Sequence, residues 1–239
     1  MTTASAPEDR GNGARWLRQI WRGISVPLVA VLLAGLIGAV LLVISGANPL
    51  QAYGALFKGA FGSPVAIQRT LEKATPLIFS GLAVAFAFKA GLFNIGAQGQ
   101  LLIGAIVAAF VGFSIHGLPA IIHAPLALLI GGLAGALYGA IPGALKTYTG
   151  AHEVIVTIML NYIAINITDY LADGPWKDPS PTNIVARTPR IMPSAELPIF
   201  GNIPLGFIFA LVAAVVVWWV LYRTRFGLEL QAAGERPAA

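Results

Sequence analysis

Residues 24–45 run for 22 positions without a charged side chain, and that stretch decides which solvent the chain must fold in. As a helix rising 1.5 Å per residue it is about 33 Å long, enough to cross a hydrocarbon core of about 30 Å. It offers no small-residue cleavage site and is long for a signal-peptide core, so it reads as a retained first span. Further apolar runs follow at 74–88, 101–113, 125–141, 152–171 and 203–222. Charged residues are only 10% of the chain, against about 25% in a globular domain, too few to clothe a soluble particle of this size. The expected fold is all-α: a polytopic membrane helix bundle of about six transmembrane spans, one of them a discontinuous helix.

That discontinuity is placed at residues 89–105, KAGLFNIGAQGQLLIGA. Asn94, Gln98 and Gln100 stand where lipid-facing sequence has no polar group, and Gly91, Gly96, Gly99 and Gly104 loosen the backbone around them. A Gly-interrupted apolar segment carrying amides points to a broken helix lining a transport route, because freed backbone groups are tolerated only where protein or water satisfies them. The alternative is a tight turn between two spans, its amides bonding neighbouring helices. The run at 74–88 is about 23 Å long, short for a crossing. Either Lys89 snorkels to the inner interface, or the helix breaks at Gly91 inside the protein.

The remaining runs carry their own signals. Asn48 and Pro49 open a short helix on the outer surface, and Ser63 and Pro64 open a second that runs into the next span. His116 and His123 fall in a short loop, where lone histidines are solvated. Gly131, Gly135 and Gly139, at four-residue intervals, place three bare backbone patches on one face for close helix packing. Pro142 and Gly143 are expected to end that helix near Lys146. In the run at 152–171, Glu153, Thr157, Asn161 and Thr168 fall within roughly 80° of one another, a polar stripe that faces the bundle interior as interhelical bonding or as pathway lining. Asn161 is assigned to lining and Thr157 to structural bonding. Six prolines between residues 173 and 201 exclude a span there, leaving an outer loop suited to docking.

Basic residues set the orientation. Residues 1–23 form a cytoplasmic tail, disordered at its start, and an interfacial anchor in which Arg15, Arg18 and Arg22 interleave with Trp16, Ile20 and Trp21. Residues 24–222 form the membrane domain, and residues 223–239 a cytoplasmic tail. This arrangement sets Arg10, Arg15, Arg18, Arg22, Lys89, Lys146, Arg223, Arg225 and Arg236 inside, against Lys58, Arg69, Lys73, Lys177, Arg187 and Arg190 outside. The bias favours an inward N-terminus. The net charge of +5 is too dispersed for a nucleic-acid footprint. With no Cys there is no disulfide, thiol nucleophile or thiolate metal site. No cofactor or metal is expected, and no GxxxxGK[ST] loop provides an ATPase site.

TPLIFSGLAVAFAFKAGLFNIGAQGQLLIGA (residues 75–105), HEVIVTIMLNYIA (152–164) and RTRFGLELQAAGERPAA (223–239) together resemble the permease subunits of bacterial ABC importers for nucleosides and simple sugars. Order and spacing agree from about Asn48 onward. The resemblance implies a multi-pass subunit of the bacterial inner membrane that pairs with a second permease. It implies a small-molecule substrate delivered by an extracytoplasmic substrate-binding protein, and coupling to cytoplasmic ATP-binding subunits through the tail residues Leu228, Leu230, Gly234 and Arg236. Such subunits continue for several more spans, so the chain reads as truncated within the coupling segment. Gln98 stands where the family often has Glu, and Arg236 where Asn is usual.

On this reading Asn94, Gln98 and Asn161 line the substrate pathway, since amides both donate to and accept from neutral nucleosides and sugars. Phe93 and Tyr162 offer faces for a base, with ordinary packing as the alternative. A secondary transporter would bury ionisable residues in mid-span, whereas Glu153 and Asp169 lie near span ends. An intramembrane enzyme would need a catalytic constellation at depth, and none is legible.

Overall fold

The computed structural model describes residues 12–180 and 184–235; the extreme N-terminus, Arg10 included, and Arg236 lie outside them. The chain separates at Ser63 into two compact units.

The first unit holds α1 (Asn12–Ile44) and α2 (Pro49–Phe61). Gly46, at φ +78°, turns the chain out of α1, and its N–H bonds to Val43 while that of Ala47 bonds to Leu42. This is the paired closure that glycine permits at a helix C-terminus. Asn48 then caps α2, its Oδ1 accepting from the N–H groups of Leu50 at 3.0 Å and Gln51 at 3.4 Å. Pro49 occupies the first turn, where its missing N–H costs nothing. The Tyr53 hydroxyl donates to the Gly35 carbonyl at 2.6 Å and ties α2 to α1.

The second unit holds α3 (Pro64–Lys89), α4 (Ala97–Ser114), α5 (Ala120–Thr149), α6 (Glu153–Asp173), α7 (Leu205–Arg223) and α8 (Arg225–Glu235). Together with α1, five of these are long and apolar enough to cross a bilayer, six candidate spans among the described residues. The chain is a multi-pass membrane protein, and its large exposed apolar side chains, such as Val212, Val215 and Trp219, are in keeping with a lipid-facing surface.

The helix opened by Ser63 and Pro64 does run into the next span, and one expectation about helix length is corrected. The 74–88 run is the second part of α3, which starts at Pro64, and 26 residues give a complete crossing of about 39 Å. Pro142 does not end α5, which continues to Thr149 and stops where Gly150 takes φ +67° and returns its N–H to Lys146. Proline removes one bond and weakens a helix locally, but the left-handed glycine is what terminates this one.

The unit has two distinct ends. At one, residues 174–180 and 184–204 form an irregular connection with a 3₁₀ turn (Pro193–Ala195) and a two-stranded hairpin, β1 (Ile199–Phe200) against β2 (Ile203–Pro204). Trp176 stacks on Phe110 with ring centres 4.5 Å apart and meets Phe113 edge-on. At the other end lie the α3–α4 and α5–α6 connections and α8. Lys89 stands 5.7 Å from the Tyr222 ring centre, level with the end of α7. That places the α3–α4 break at the same level as the end of the final span.

Candidate functional site

The polar segment between α3 and α4 is non-helical over residues 90–96. Gly91 ends α3 at φ +70°, with Gly91 N–H bonded to Phe88 and Leu92 N–H to Ala87. Asn94 then folds the chain onto itself, its Oδ1 accepting from Gly96 N–H at 2.8 Å. Such side-chain turns suit Asn because its carbonyl imitates a backbone acceptor.

Asn161, on α6, holds this segment from outside. Its Oδ1 accepts from Gly99 N–H at 2.8 Å and its Nδ2 donates to the Ile95 carbonyl at 2.9 Å. A helix N-terminus leaves its first N–H groups without intrahelical partners. Gly96 begins α4 without a side-chain cap, so Asn161 supplies the missing acceptor from another helix. The approach is close: a Cβ on Gly99 would lie 2.9 Å from Asn161 Oδ1 and 3.2 Å from Ala164 Cβ. Thr157, 1% exposed, packs against Gly96 one turn earlier. Its hydroxyl donates to the Glu153 carbonyl at 2.8 Å, within its own helix.

Asn94 also meets Gln100, with amide separations of 3.3 and 3.5 Å. These lie at or beyond the long end of the hydrogen-bond range, so both side chains keep capacity for another partner. The two amides face different spaces. Gln100 lies on a groove of about 580 Å³ between α3, α4, α5 and α7, whose other polar side chain is Thr75. Asn94 lies on a chamber of about 80 Å³ together with Phe93, Lys146, Glu153 and Thr157. Lys146 Nζ and Glu153 Oε1 are 2.9 Å apart there, closing the α5–α6 connection.

The other residues singled out from sequence are dispersed. Gln98 is exposed on the first turn of α4. Phe93, 58% exposed, borders the small chamber and packs on Phe88 with ring centres 5.2 Å apart. Tyr162, 61% exposed, belongs to a shallow surface groove lined by α6 alone.

Gly131, Gly135 and Gly139 all face α4. A Cβ on Gly131 would lie 2.7 Å from the Gly104 carbonyl, one on Gly135 3.0 Å from the Gln100 carbonyl, and one on Gly139 3.1 Å from Gln100 Cδ. Gln100, Gly104 and Ala108 repeat the same four-residue spacing, so two backbones run in contact along one seam. The seam also fixes where Gln100 stands.

The tail turns back at Thr224, whose hydroxyl accepts from Gly227 N–H at 3.1 Å, while Gln231 Nε2 donates to the Leu221 carbonyl at 2.8 Å. Leu228 is 71% exposed and Leu230 partly buried. α8 runs through Gly234 to Glu235, the last residue described. Gly234 meets the 90–96 segment, where a Cβ on it would lie 2.7 Å from Gly91 N.

Three features escaped the sequence. His123 lies inside α5, not in a loop, and is fully buried: Nδ1 is 2.8 Å from Ser194 Oγ and Nε2 is 3.1 Å from the Val111 carbonyl. The Lys146–Glu153 pair spans the α5–α6 connection, and no local signal marks it. Gln100 gave the same local signal as Gln98, and only the fold distinguishes the inward amide from the exposed one.

A profile described as the permease component of the branched-chain amino acid transport system matches residues 66–239. The chain therefore belongs to this family of transport permeases. It is 44% identical over 217 residues to the guanosine ABC transporter permease protein NupP of Bacillus subtilis, covering 87% of this chain and 61% of that protein. It is 35% identical over 227 residues to the nucleoside ABC transporter permease protein NupB of Lactococcus lactis, covering 91% and 62%. To the glucose ABC transporter permease protein TsgB13 of Haloferax volcanii it is 33% identical over 230 residues, covering 92% and 60%. The chain thus spans about three-fifths of the length of these relatives. No solved structure matches it.

Proposed function

We propose that this chain is a permease subunit of an ATP-binding-cassette importer that moves a nucleoside or simple sugar by alternating access. Cytoplasmic ATP-binding subunits drive it, a second permease completes the pathway, and an extracytoplasmic binding protein delivers the solute. The N-terminus and α8 lie on the cytoplasmic side of a bacterial inner membrane. Asn94 and Gln100 contact the solute, and Asn161 acts through the backbone it holds.

The observation that carries this reading is the crossing of α8 over the amide-bearing segment at Gly91 and Gly234. Leu228 remains exposed for a partner, and movement of α8 reaches Asn94 through three residues of backbone. Amides suit neutral solutes because each offers a donor and an acceptor without the desolvation cost of a charge. The substrates named for the relatives, guanosine, nucleosides and glucose, are of this kind.

The test is uptake of labelled nucleosides and hexoses by vesicles holding the complete transporter. ATP-dependent uptake that vanadate stops and an uncoupler leaves intact is expected. Uptake abolished by the uncoupler and indifferent to vanadate would instead establish a secondary transporter.

A further inference from the structure

Three seams join α4, α5 and α6, and they differ in chemistry. The α4–α5 seam is glycine against backbone, and the α4–α6 seam is the double bond of Asn161 to the 90–96 segment and Gly99. Between α5 and α6 the bonds are side-chain polar ones: Tyr138 Oη to the Leu160 carbonyl at 2.7 Å, and Lys146 to Glu153 at 2.9 Å. The chamber of about 80 Å³ lies where that third seam meets the end of α3 and the 90–96 segment, with Asn94 on its wall. It has room for a few water molecules, whereas sites for drug-sized ligands run to about 300 Å³ or more. The route past Asn94 is closed in this state.

The closing segment is built to move. Pro142 offers no N–H to the Tyr138 carbonyl, and Gly139 and Gly143 flank it. A Cβ on Gly143 would meet nothing within 4 Å, so that side of the turn is open, while Pro142 itself is buried. Beyond it α5 continues only to Thr149, and Gly150, at φ +67°, leads to Glu153. The Glu153 carboxylate has 17% of its side-chain surface exposed and the Lys146 side chain 37%. The pair is partly withdrawn from water, where its attraction is less screened than at an open surface.

We propose that Lys146 and Glu153 are positioning residues that latch the cytoplasmic gate of the pathway, with residues 143–149 as the moving part and Pro142 as the hinge. Parting the pair opens the chamber beside Asn94 and exposes the carboxylate and the amide together. That gate passes a neutral, hydroxyl-bearing solute, to which Glu153 offers an acceptor and Asn94 both donor and acceptor. The inference rests on the transport reading above and adds to it where the route is shut.

The test uses the chain's lack of Cys. Ala87→Cys places one thiol on the chamber wall, and its reaction with a membrane-impermeant maleimide is timed in inside-out vesicles holding the complete transporter. With the native pair, labelling is slow. Glu153→Gln and Lys146→Met are each expected to speed it about fivefold, and the exchange Lys146→Glu with Glu153→Lys to restore protection. A general loosening of the fold would not be repaired by exchanging the charges. Labelling indifferent to the pair, or acceleration that the exchange leaves in place, overturns the proposal. Uptake measured on the same vesicles separates the two readings. ATP-driven uptake with indifferent labelling rejects the latch alone, whereas responsive labelling without ATP-driven uptake upholds the latch and rejects the transport reading.

Discussion

Gly91 and Gly234 touch backbone to backbone: a Cβ on Gly91 would lie 2.8 Å from Gly234 Cα, and one on Gly234 2.7 Å from Gly91 N. The two residues are far apart in sequence, one ending α3 and the other near the end of α8. No side chain intervenes, so a displacement of α8 has nothing soft to absorb it before it reaches the Asn94 segment.

Gly234→Leu is therefore expected to separate ATP turnover from transport. Overpacking a close contact displaces one of the partners at a cost of about 1–3 kcal/mol, and α8, with few neighbours, is the element that yields. The ratio of solute imported to ATP hydrolysed in the reconstituted transporter measures this. A fall in that ratio with folding intact is predicted, and an unchanged ratio removes the crossing from the coupling route.

Asn161→Ala leaves the Ile95 carbonyl and the Gly99 N–H without their partner. Gly99 is buried, and its unpaired N–H costs about 1–3 kcal/mol, while the carbonyl of the exposed Ile95 adds less, so a clear loss of thermal stability in detergent is predicted. Asn161→Asp should recover only part of it, because a carboxylate accepts from Gly99 but cannot donate to Ile95. Equal stability of Asn161→Ala and the native chain would mean that water replaces both bonds.

Gly135→Leu forces α4 and α5 apart, since a Cβ there already lies 3.0 Å from the Gln100 carbonyl. Gly132→Leu, three residues earlier, adds a side chain where nothing lies within 4 Å. The first is expected to cost about 1–3 kcal/mol or more and the second far less, read as unfolding midpoints in the same detergent. A reversed order would place the packing face elsewhere.

Ser194→Ala removes the hydroxyl partner of His123 and should weaken the hold on residues 191–195 by about 0.5–1.5 kcal/mol. Protease cleavage within residues 184–191 is expected to quicken about twofold to tenfold while cleavage elsewhere stays constant. The Met192 N–H to Gly112 carbonyl bond, at 2.9 Å, is another tether of that loop. Cleavage at the native rate would leave that bond as the loop's effective anchor.

Much of this was legible in local sequence, and the reasons are specific. Asn48 with Pro49, and Pro64 after Ser63, are start signals whose chemistry is complete within four residues, and both open helices there. The four-residue spacing of Gly131, Gly135 and Gly139 is a property of one helix, so its face needed no knowledge of the partner. Other features depend on residues distant in the chain. The partners of Asn161 are backbone groups some 60 residues away, and His123 is explained only by Ser194 and Val111. The Pro142 expectation failed because propensity is a weak prior: proline weakens a helix intrinsically, and Pro142 lies buried in a helix that continues past it.

The most direct test of the account is the effect of Asn94→Ala on uptake by the complete transporter, with expression and thermal stability matched to the native chain. Loss of one hydrogen bond to a neutral solute predicts a fall in uptake efficiency of roughly threefold to tenfold, with Asn94→Gln retaining part of the native rate. Uptake at the native affinity and rate in Asn94→Ala would contradict the claim that the solute passes the amide-bearing segment.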